Sequence, residues 1–234
     1  MRRKCEDLAV DVVGLCLTAR NEDYVKAALA GWDEEGSCTA IGHARPMSAA
    51  GAAFVNGTAA HGEDFDDTFE GGPVHAGAVI VPAVLAACER YNPSGSSALL
   101  GIAVGTEVIC RLSVVVPKAV HKAGFHPTAV FGAMAAAAGV GAALKLEERQ
   151  MVDALGIAGS MAGGIIEYLA EGAWTKRLHP AGRRNRACAR RCWDARVFSA
   201  RAPYSRACMA CSMASPIPRR AITTRSSAIS VRIG

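Results

Sequence analysis

The segment Ala49–His61 consists almost entirely of small residues and reads Ala-Ala-Gly-Ala-Ala-Phe-Val-Asn-Gly-Thr-Ala-Ala-His. Folded as a helix, it would present small side chains on every face, so neighbouring backbones could approach it closely. The chain of 234 residues contains 24 Gly and only 6% aromatic residues, and no long segment alternates polar and apolar residues as a half-buried strand does. These features predict an all-α domain in which this segment is a central helix.

Seven further segments carry apolar residues at helical spacing. We predict helices over residues 7–19, 22–30, 79–90, 97–116, 127–144, 147–159 and 163–171. Asn21 is expected to cap the second of these helices, and residues 39–45 fit either a short strand or a loop. The longest apolar run, residues 130–144, is shorter than the ~18 residues that a membrane span needs. We therefore predict no membrane segment.

An acidic stretch follows the central helix and runs from His61 to His75. It contains Thr68 and five carboxylates, namely Glu63, Asp64, Asp66, Asp67 and Glu70. So much acid beside an apolar run is typical of groups that hold a ligand, a metal or a proton-transfer network. Acidic residues are also favoured where a helix begins, so a surface loop that caps the next helix is the alternative. The residues alone leave both interpretations open.

Two later clusters add histidines and lysine at the ends of predicted elements. His126 precedes Pro127 at the start of a helix, a position that favours an anion, with a simple capping turn as the alternative. Lys176 and His179 lie in a basic segment that on its own would be a solvated loop. Together with the acidic stretch, these residues predict a site for a polyanionic small molecule. Carboxylates and histidines would transfer protons, and cations would bind substrate carboxylates.

The charge of the chain changes sign near residue 180. Residues 1–180 contain 14 Lys and Arg against 20 Asp and Glu, a net charge of −6, whereas residues 181–234 contain twelve Arg against one acid, a net charge of +11. The formal charge of +5 therefore averages two unlike segments and does not indicate affinity for nucleic acid. We predict a helical domain over residues 1–180 and a disordered tail over residues 181–234.

The cysteines of the first 180 residues lack the spacing of disulfide partners. They are Cys5, Cys16, Cys38, Cys88 and Cys110. Buried thiols without partners are typical of a reducing compartment. Acidic residues at positions 6, 7 and 11 interrupt any apolar signal segment near the N-terminus. The sequence therefore predicts a cytoplasmic protein.

Five strings of this chain, taken in order, resemble motifs of the MmgE/PrpD family. They are Ala52-Ala-Phe-Val-Asn-Gly-Thr-Ala-Ala-His61, Asp64-Phe-Asp-Asp-Thr68, Val74-His-Ala-Gly77, Gly124-Phe-His-Pro-Thr128 and Trp174-Thr-Lys-Arg-Leu-His-Pro180. The resemblance implies an all-α N-terminal domain followed by a smaller α/β lid domain, usually in a homodimer and without an iron–sulfur cluster. The family includes 2-methylcitrate dehydratase, cis-aconitate decarboxylase and an iminodisuccinate epimerase. It therefore implies acid/base proton transfer on a small di- or tricarboxylate, most simply as a dehydratase-type lyase.

The resemblance also assigns the site residues. It implies that His75 carries the proton, with Asp64 and Thr68 orienting it or binding substrate hydroxyls. It implies that His126 and Lys176 bind substrate carboxylates and offset charge in the transition state. The expected partners are the carboxylate substrate and a second subunit, with no metal, cofactor, nucleic acid or membrane. His75 is followed by Ala-Gly, whereas 2-methylcitrate dehydratases carry a Pro-Ser-Asp-Asn type segment, so epimerase and decarboxylase relatives stay open.

The resemblance ends near residue 180, where the family continues with a Gly-Trp-Ala-Ala type helix and then the lid. Read one base out of frame, the codons of residues 181–195 permit a similar string, and we interpret the tail as the product of a shifted reading frame. On this hypothesis the chain is truncated, lacks the lid and is an inactive remnant that at most dimerises. Two other interpretations are a zinc site and an RNA-binding arm at residues 183–191. The zinc ligands would be Cys188, Cys192, Cys208 and Cys211.

Overall fold

The computed structural model describes residues 1–179. Within that range it contains ten helices and one two-stranded sheet. They are α1 (Arg2–Ala19), α2 (Asp23–Ala30), β1 (Cys38–Thr39), β2 (Pro46–Met47), α3 (Ala49–His61), α4 (Gly77–Tyr91), α5 (Gly95–Val115), α6 (Ala119–Lys122), α7 (Pro127–Ala143), α8 (Glu148–Met161), α9 (Tyr168–Glu171) and α10 (Thr175–Leu178). The all-α prediction is confirmed. The domain boundary, the tail, its zinc site and its RNA-binding arm lie outside the described residues.

Helix α3 lies at the centre of the domain, as its small residues predict. Ten of its 13 residues are buried, and it packs against α1, α2 and α4. The Ser48 hydroxyl accepts a hydrogen bond from the Gly51 N–H and caps the helix. The buried Asn56 amide accepts from the Ile41 N–H at 2.8 Å and donates to the Thr39 carbonyl at 2.9 Å, which fixes the segment after β1 to this helix.

Helices α5 and α7 form a second layer in which their backbones touch. A Cβ atom added at Gly101 of α5 would lie 2.6 Å from the Gly139 carbonyl oxygen of α7, and one added at Gly139 would lie 2.7 Å from the Gly101 carbonyl oxygen. Such distances leave room only for glycine. Fifteen of the 17 residues of α7 are buried, so the core holds the N-terminus of this helix in a fixed position.

Helix α5 is the one described helix that is long and apolar enough to cross a bilayer, with a mean hydropathy of 1.8 in its most apolar window. The sequence predicts a helix over residues 97–116, but not a candidate membrane span, because Ser, Thr and Gly interrupt its apolar run. Length and composition are weak evidence, since a core helix passes the same test. One face of α5 lies against α7, and another carries an exposed ion pair between Glu107 and Arg111.

Several element ends differ from the sequence predictions. Helix α1 begins at Arg2 rather than at residue 7. Its first turn is polar and contains an ion pair between Arg2 and Glu6, so no apolar stripe indicates it in the sequence. Asn21 is not the cap of α2; Glu22 occupies that position without a side-chain cap bond. Of residues 39–45, Thr39 is the last residue of β1 and the others form the loop to β2, which pairs antiparallel with β1. The helices α6 and α10 have four residues each, too few for periodicity to indicate them.

The predicted helix over residues 163–171 is the largest correction. Only Tyr168–Glu171 is helical, because Gly164 adopts a φ of +133° that no helix contains. Ile165 instead forms an isolated antiparallel bridge with Phe125, and the Gly164 carbonyl accepts the His126 N–H at 2.8 Å. The extended segment therefore holds the residue that precedes α7.

The cysteines of the described residues are free thiols, as their spacing predicts. They are Cys5, Cys16, Cys38, Cys88 and Cys110. Burial raises the pKa of Cys16 to about 12, so this thiol is unreactive near neutral pH. The cytoplasmic location and the homodimer stay predictions.

Candidate active site

One carboxylate of the acidic stretch caps a helix. The Asp67 side chain accepts hydrogen bonds from the Ala76 N–H at 3.1 Å and the Gly77 N–H at 2.7 Å, where α4 begins. Burial raises the pKa of Asp67, and these two backbone hydrogen bonds oppose the shift. The capping interpretation of the acidic stretch is therefore correct for this residue.

A neighbouring carboxylate lies in a cluster of histidines. The Asp66 side chain is 0% exposed and accepts a hydrogen bond from His61 Nδ1 at 2.7 Å. Its other oxygen faces His75 Nδ1 at 3.4 Å. His61 is the last residue of α3 and His75 lies just before α4, so the loop between these helices folds back and brings the two rings within 4.9 Å of each other.

The electrostatics of this cluster favour an ionised Asp66 and a protonated His75. Burial alone would raise the pKa of Asp66, but hydrogen bonds and electrostatic attraction to His61 and His75 lower it well below its ordinary range. Burial alone would lower the pKa of His75, but the hydrogen bond and charge of Asp66 outweigh burial and raise it. At neutral pH a buried negative charge therefore lies beside an imidazole that gains a proton more readily than usual.

The hydrogen bond to Asp66 also fixes the tautomer of His61. A carboxylate only accepts, so His61 Nδ1 carries the hydrogen and Nε2 is left with a lone pair. Nε2 is buried and has no hydrogen-bond partner among residues 1–179. A protonated Nε2 would be a buried donor without an acceptor, which costs more than a bare lone pair.

His126 extends the cluster from the start of α7. Its ring stacks on His61 with 5.7 Å between the centroids, and its Nδ1 lies 3.3 Å from His179 Nδ1. Tyr168 packs edge-on against both His126 and His179, at centroid distances of 5.7 and 5.5 Å. The Thr128 hydroxyl accepts the His75 N–H at 3.2 Å and ties the first turn of α7 to the loop before α4.

His126 is a neutral histidine at neutral pH. Burial lowers its pKa to about 2, and the electrostatic influence of neighbouring His61, His179 and Lys176 acts in the same direction. Burial likewise lowers the pKa of His179. One of the two facing Nδ1 atoms therefore donates a hydrogen and the other accepts it. The cluster thus combines a histidine whose pKa is raised, His75, with one whose pKa is lowered, His126, and acid/base catalysis relies on such separated proton affinities.

Two cations of α10 lie at the edge of the cluster. Lys176 forms an ion pair with Asp64, whose backbone is left-handed at a φ of +57°. Arg177 donates from Nε to the Gly62 carbonyl at 2.7 Å, and its guanidinium lies 4.6 Å above the Tyr24 ring. These contacts hold α10 against the C-terminal end of α3.

Four of the five residues assigned through the family resemblance converge on this cluster: Asp64, His75, His126 and Lys176. The fifth, Thr68, is exposed and makes no side-chain hydrogen bond within residues 1–179. Asp66 rather than Asp64 contacts His75. The roles given to these five residues stay predictions.

The family resemblance gave no role to four residues that the structure places in the cluster: His61, Asp66, Tyr168 and His179. Three of them lie in the segments that the sequence grouped into one site, and only Tyr168 was not indicated at all. A signal existed for His61, because a histidine on a helix that is small on every face has to be buried. No sequence signal distinguishes Asp66 from the four other carboxylates of its loop.

His61, Asp66 and His75 are residue types that bind metals, and their donor atoms all lie within 4.8 Å of one another. Two donors on one tetrahedral zinc ion are about 3.3 Å apart, given bonds of about 2.0 Å. His61 Nδ1 and Asp66 Oδ2 are closer, at 2.7 Å, and form a hydrogen bond. The observed arrangement is a carboxylate shared by two imidazoles.

Comparison with known proteins gives the family. The model of the MmgE/PrpD N-terminal domain matches residues 1–190, more than half of the chain. The chain belongs to the MmgE/PrpD family. The resemblance carried by the sequence motifs is thereby confirmed, and the helical fold over residues 1–179 agrees with it.

Cis-aconitate decarboxylases are among the proteins to which this chain is similar. The chain is 31% identical over 175 residues to that of Aspergillus terreus, covering 70% of this chain and 35% of the relative. It is 39% identical over 132 residues to that of Homo sapiens and 40% identical over 139 residues to that of Mus musculus, each time covering 55% of this chain and 27% of the relative. The chain thus spans about a third of the length of these curated relatives. Family membership supports a lyase-like function at a general level.

Proposed function

We propose that this chain provides the proton-transfer groups of a lyase that acts on a small di- or tricarboxylate. The observation that carries the proposal is the buried Asp66 shared by His61 and His75, beside the neutral His126. An ionised carboxylate that raises the proton affinity of one imidazole, next to another that stays neutral, is suited to acid/base chemistry.

The cations at the edge of the cluster suit an anionic substrate. Lys176 is paired with Asp64, whose side chain is 54% exposed. A substrate carboxylate can therefore replace Asp64 at Lys176 without leaving a buried charge unpaired. A protonated His75 adds a second positive charge on the buried side of the cluster.

Our first candidate reaction is decarboxylation of cis-aconitate, because the relatives from Aspergillus terreus, Homo sapiens and Mus musculus bear that activity in their names. When the C–C bond to a carboxylate breaks, carbon dioxide leaves and the bonding electron pair stays on the remaining carbon. A proton must then reach the substrate. In our mechanism His75 delivers it, and a cis-aconitate trianion becomes an unsaturated dicarboxylate dianion plus carbon dioxide. Lys176 holds a carboxylate that stays on the product.

Dehydration of 2-methylcitrate is the second candidate, since it needs the same groups in different roles. A base removes a proton from carbon, and an acid protonates the departing hydroxyl. His75 in its neutral form can remove the carbon-bound proton and then deliver it to the departing hydroxyl, which leaves as water, whereas the low pKa of His126 makes that ring a weak base. The Ala-Gly that follows His75 departs from the dehydratase pattern and places this reaction second.

The test is turnover of each substrate by the purified 234-residue chain, followed by ¹H NMR of substrate and product. In contrast to the inactive remnant that the shifted-frame hypothesis predicts, we expect loss of cis-aconitate with release of carbon dioxide, and a reduction of kcat by about 100-fold or more in His75→Gln. His121→Gln, which removes an exposed histidine, is the matched control and should keep the rate. The proposal is wrong if neither substrate turns over and neither shifts the ring signals of His75 and His126.

A further inference from the structure

Asp66 and His61 together form a buried support behind His75. The side chains of Asp66 and His61 are both 0% exposed, whereas that of His75 is 19% exposed. His75 Nδ1 is buried and faces Asp66 Oδ1. The nitrogen of His75 that remains available to a substrate is therefore Nε2.

We propose that Asp66 and His61 are positioning residues for His75: Asp66 holds the hydrogen of His75 on Nδ1 and directs Nε2 toward the substrate, while His61 holds Asp66 in place from the opposite side. This inference deepens the proposed function, because its catalytic part rests on His75 being the proton carrier. Neither residue has to touch the substrate.

Within the described residues, the two carboxylate oxygens of Asp66 face only the rings of His61 and His75. Its Oδ2 atom is bound by His61 Nδ1 at 2.7 Å, and its Oδ1 atom is buried without a hydrogen-bond partner among the described residues and lies 3.4 Å from His75 Nδ1. That distance is longer than a good hydrogen bond and would shorten when His75 is protonated, because both partners are then charged. One carboxylate thus restrains two rings.

Other charges around His75 are weaker influences than Asp66. The titratable groups that act on it or face it are Asp64, Asp66, Asp67, His61, His126 and Lys176. Lys176 lowers the pKa of His75 and Asp64 raises it, so this ion pair has opposed effects. Asp66 has the closest carboxylate oxygen and is the group that sets the protonation of His75.

The inference is tested by NMR titration of the histidine rings in the labelled 234-residue chain. His75 is assigned with His75→Gln. In Asp66→Asn, which keeps the shape of the side chain and removes its charge, we expect His75 to titrate at lower pH and to lose its preference for hydrogen on Nδ1. In His61→Phe, the carboxylate loses its other partner, so we expect His75 to titrate at higher pH. Opposite shifts in the two variants are the signature of a positioning role.

The matched control is Asp153→Asn, which removes the charge of a buried carboxylate that is paired with Arg149 on α8. It should leave the titration of His75 unchanged. Circular dichroism establishes that each variant is folded, and if Asp66→Asn does not fold, His61→Phe carries the test. Unchanged titration of His75 in a folded Asp66→Asn or His61→Phe chain overturns the proposal.

Turnover separates this inference from the proposed function. If the wild-type chain is active, Asp66→Asn should lower kcat by about 100-fold with little change in KM, because Asp66 orients the proton carrier and does not bind substrate. A chain whose His75 titration shifts while kcat stays at the wild-type value contradicts the catalytic part. If the wild-type chain is inactive, the proposed function fails while the two titrations still decide whether Asp66 positions His75.

Discussion

Asp66 and Asp67 are adjacent in the chain, yet their side chains point in different directions and contact different groups. Asp66 lies between the rings of His61 and His75, and Asp67 caps α4. Burial acts on both carboxyls and raises the pKa of Asp67, but at Asp66 the two histidines outweigh burial and lower it. A single acidic loop therefore supplies both the start of a core helix and the negative charge of the candidate site.

Loss of the helix cap should affect stability. In Asp67→Ala the N–H groups of Ala76 and Gly77 lose their acceptor, and we expect the free energy of unfolding to fall by about 1 kcal/mol. Chemical denaturation measures the change. Glu70→Ala, an exposed residue of the same loop, is the control and should stay within about 0.5 kcal/mol of wild type. Equal stability of the two variants would show that the cap contributes nothing.

Substitution of glycine by alanine should have opposite effects on stability at Gly139 and at Gly14. In Gly139→Ala the new methyl group meets the Gly101 carbonyl oxygen, so we expect a loss of about 1–3 kcal/mol. Gly14 of α1 has no atom within 4 Å of an added Cβ, so Gly14→Ala should gain about 0.5–1 kcal/mol through helix propensity. Thermal and urea unfolding of both variants provide the comparison. A neutral Gly139→Ala would contradict the close approach of these helices.

The buried His126 predicts lower stability in acid. Its pKa is lowered from 6.5 to about 2, mainly by burial, so below pH 6.5 the unfolded chain takes up a proton that the folded chain does not. Stability therefore falls with falling pH, with a contribution of up to about 1.4 kcal/mol per pH unit. In His126→Gln this contribution disappears. The free energy of unfolding, measured with urea from about pH 4 to about pH 7, should then change less steeply with pH than in the wild type.

His121→Gln is the control for that slope, because it removes an exposed histidine from the same chain. It should keep the wild-type pH dependence. A His126→Gln chain with the wild-type slope would mean that His126 is protonated in the folded state.

The attachment of α10 depends on the guanidinium of Arg177. In Arg177→Lys the donor to the Gly62 carbonyl and the planar group above Tyr24 are both lost, since an ammonium group reproduces neither geometry. We expect amide hydrogen exchange of residues 174–178 to become about tenfold faster, as the loss of one charged hydrogen bond implies.

Arg90→Lys provides the comparison for this variant. Arg90 also lies above a tyrosine ring, that of Tyr91, at 5.7 Å, but on a distant part of the surface. Exchange of residues 174–178 should be unchanged there. If Arg177→Lys also leaves it unchanged, the attachment of α10 does not depend on the guanidinium of Arg177.

The sequence predicts the helices better than the site because different information determines each. The bounds of α3 agree with the prediction, since a segment of mostly small residues between Ser48 and the acidic stretch favours a closely packed, buried helix. The contact between His126 and His179 joins residues 53 positions apart. Local periodicity does not predict a contact between residues so far apart. The extended segment at Gly164, which makes the contact possible, also lies within a stretch whose sequence predicts a helix.

The family motifs identified the region of the site but not its internal pairing. They pointed to Asp64, which the structure pairs with Lys176, whereas the carboxylate that faces His75 is two residues further on. Side chains two residues apart in an irregular loop can point in unrelated directions, and the turn at the left-handed Asp64 sets those directions.

The sharing of one carboxylate by two imidazoles also limits how the chain can vary. Replacing Asp66 leaves two rings without their acceptor, and replacing either ring leaves a buried charge with half of its compensation. A single substitution at any of the three positions therefore lowers stability. A substitution at a second position does not restore it unless the third residue changes as well. Among homologous chains His61, Asp66 and His75 should therefore be inherited or lost as one unit.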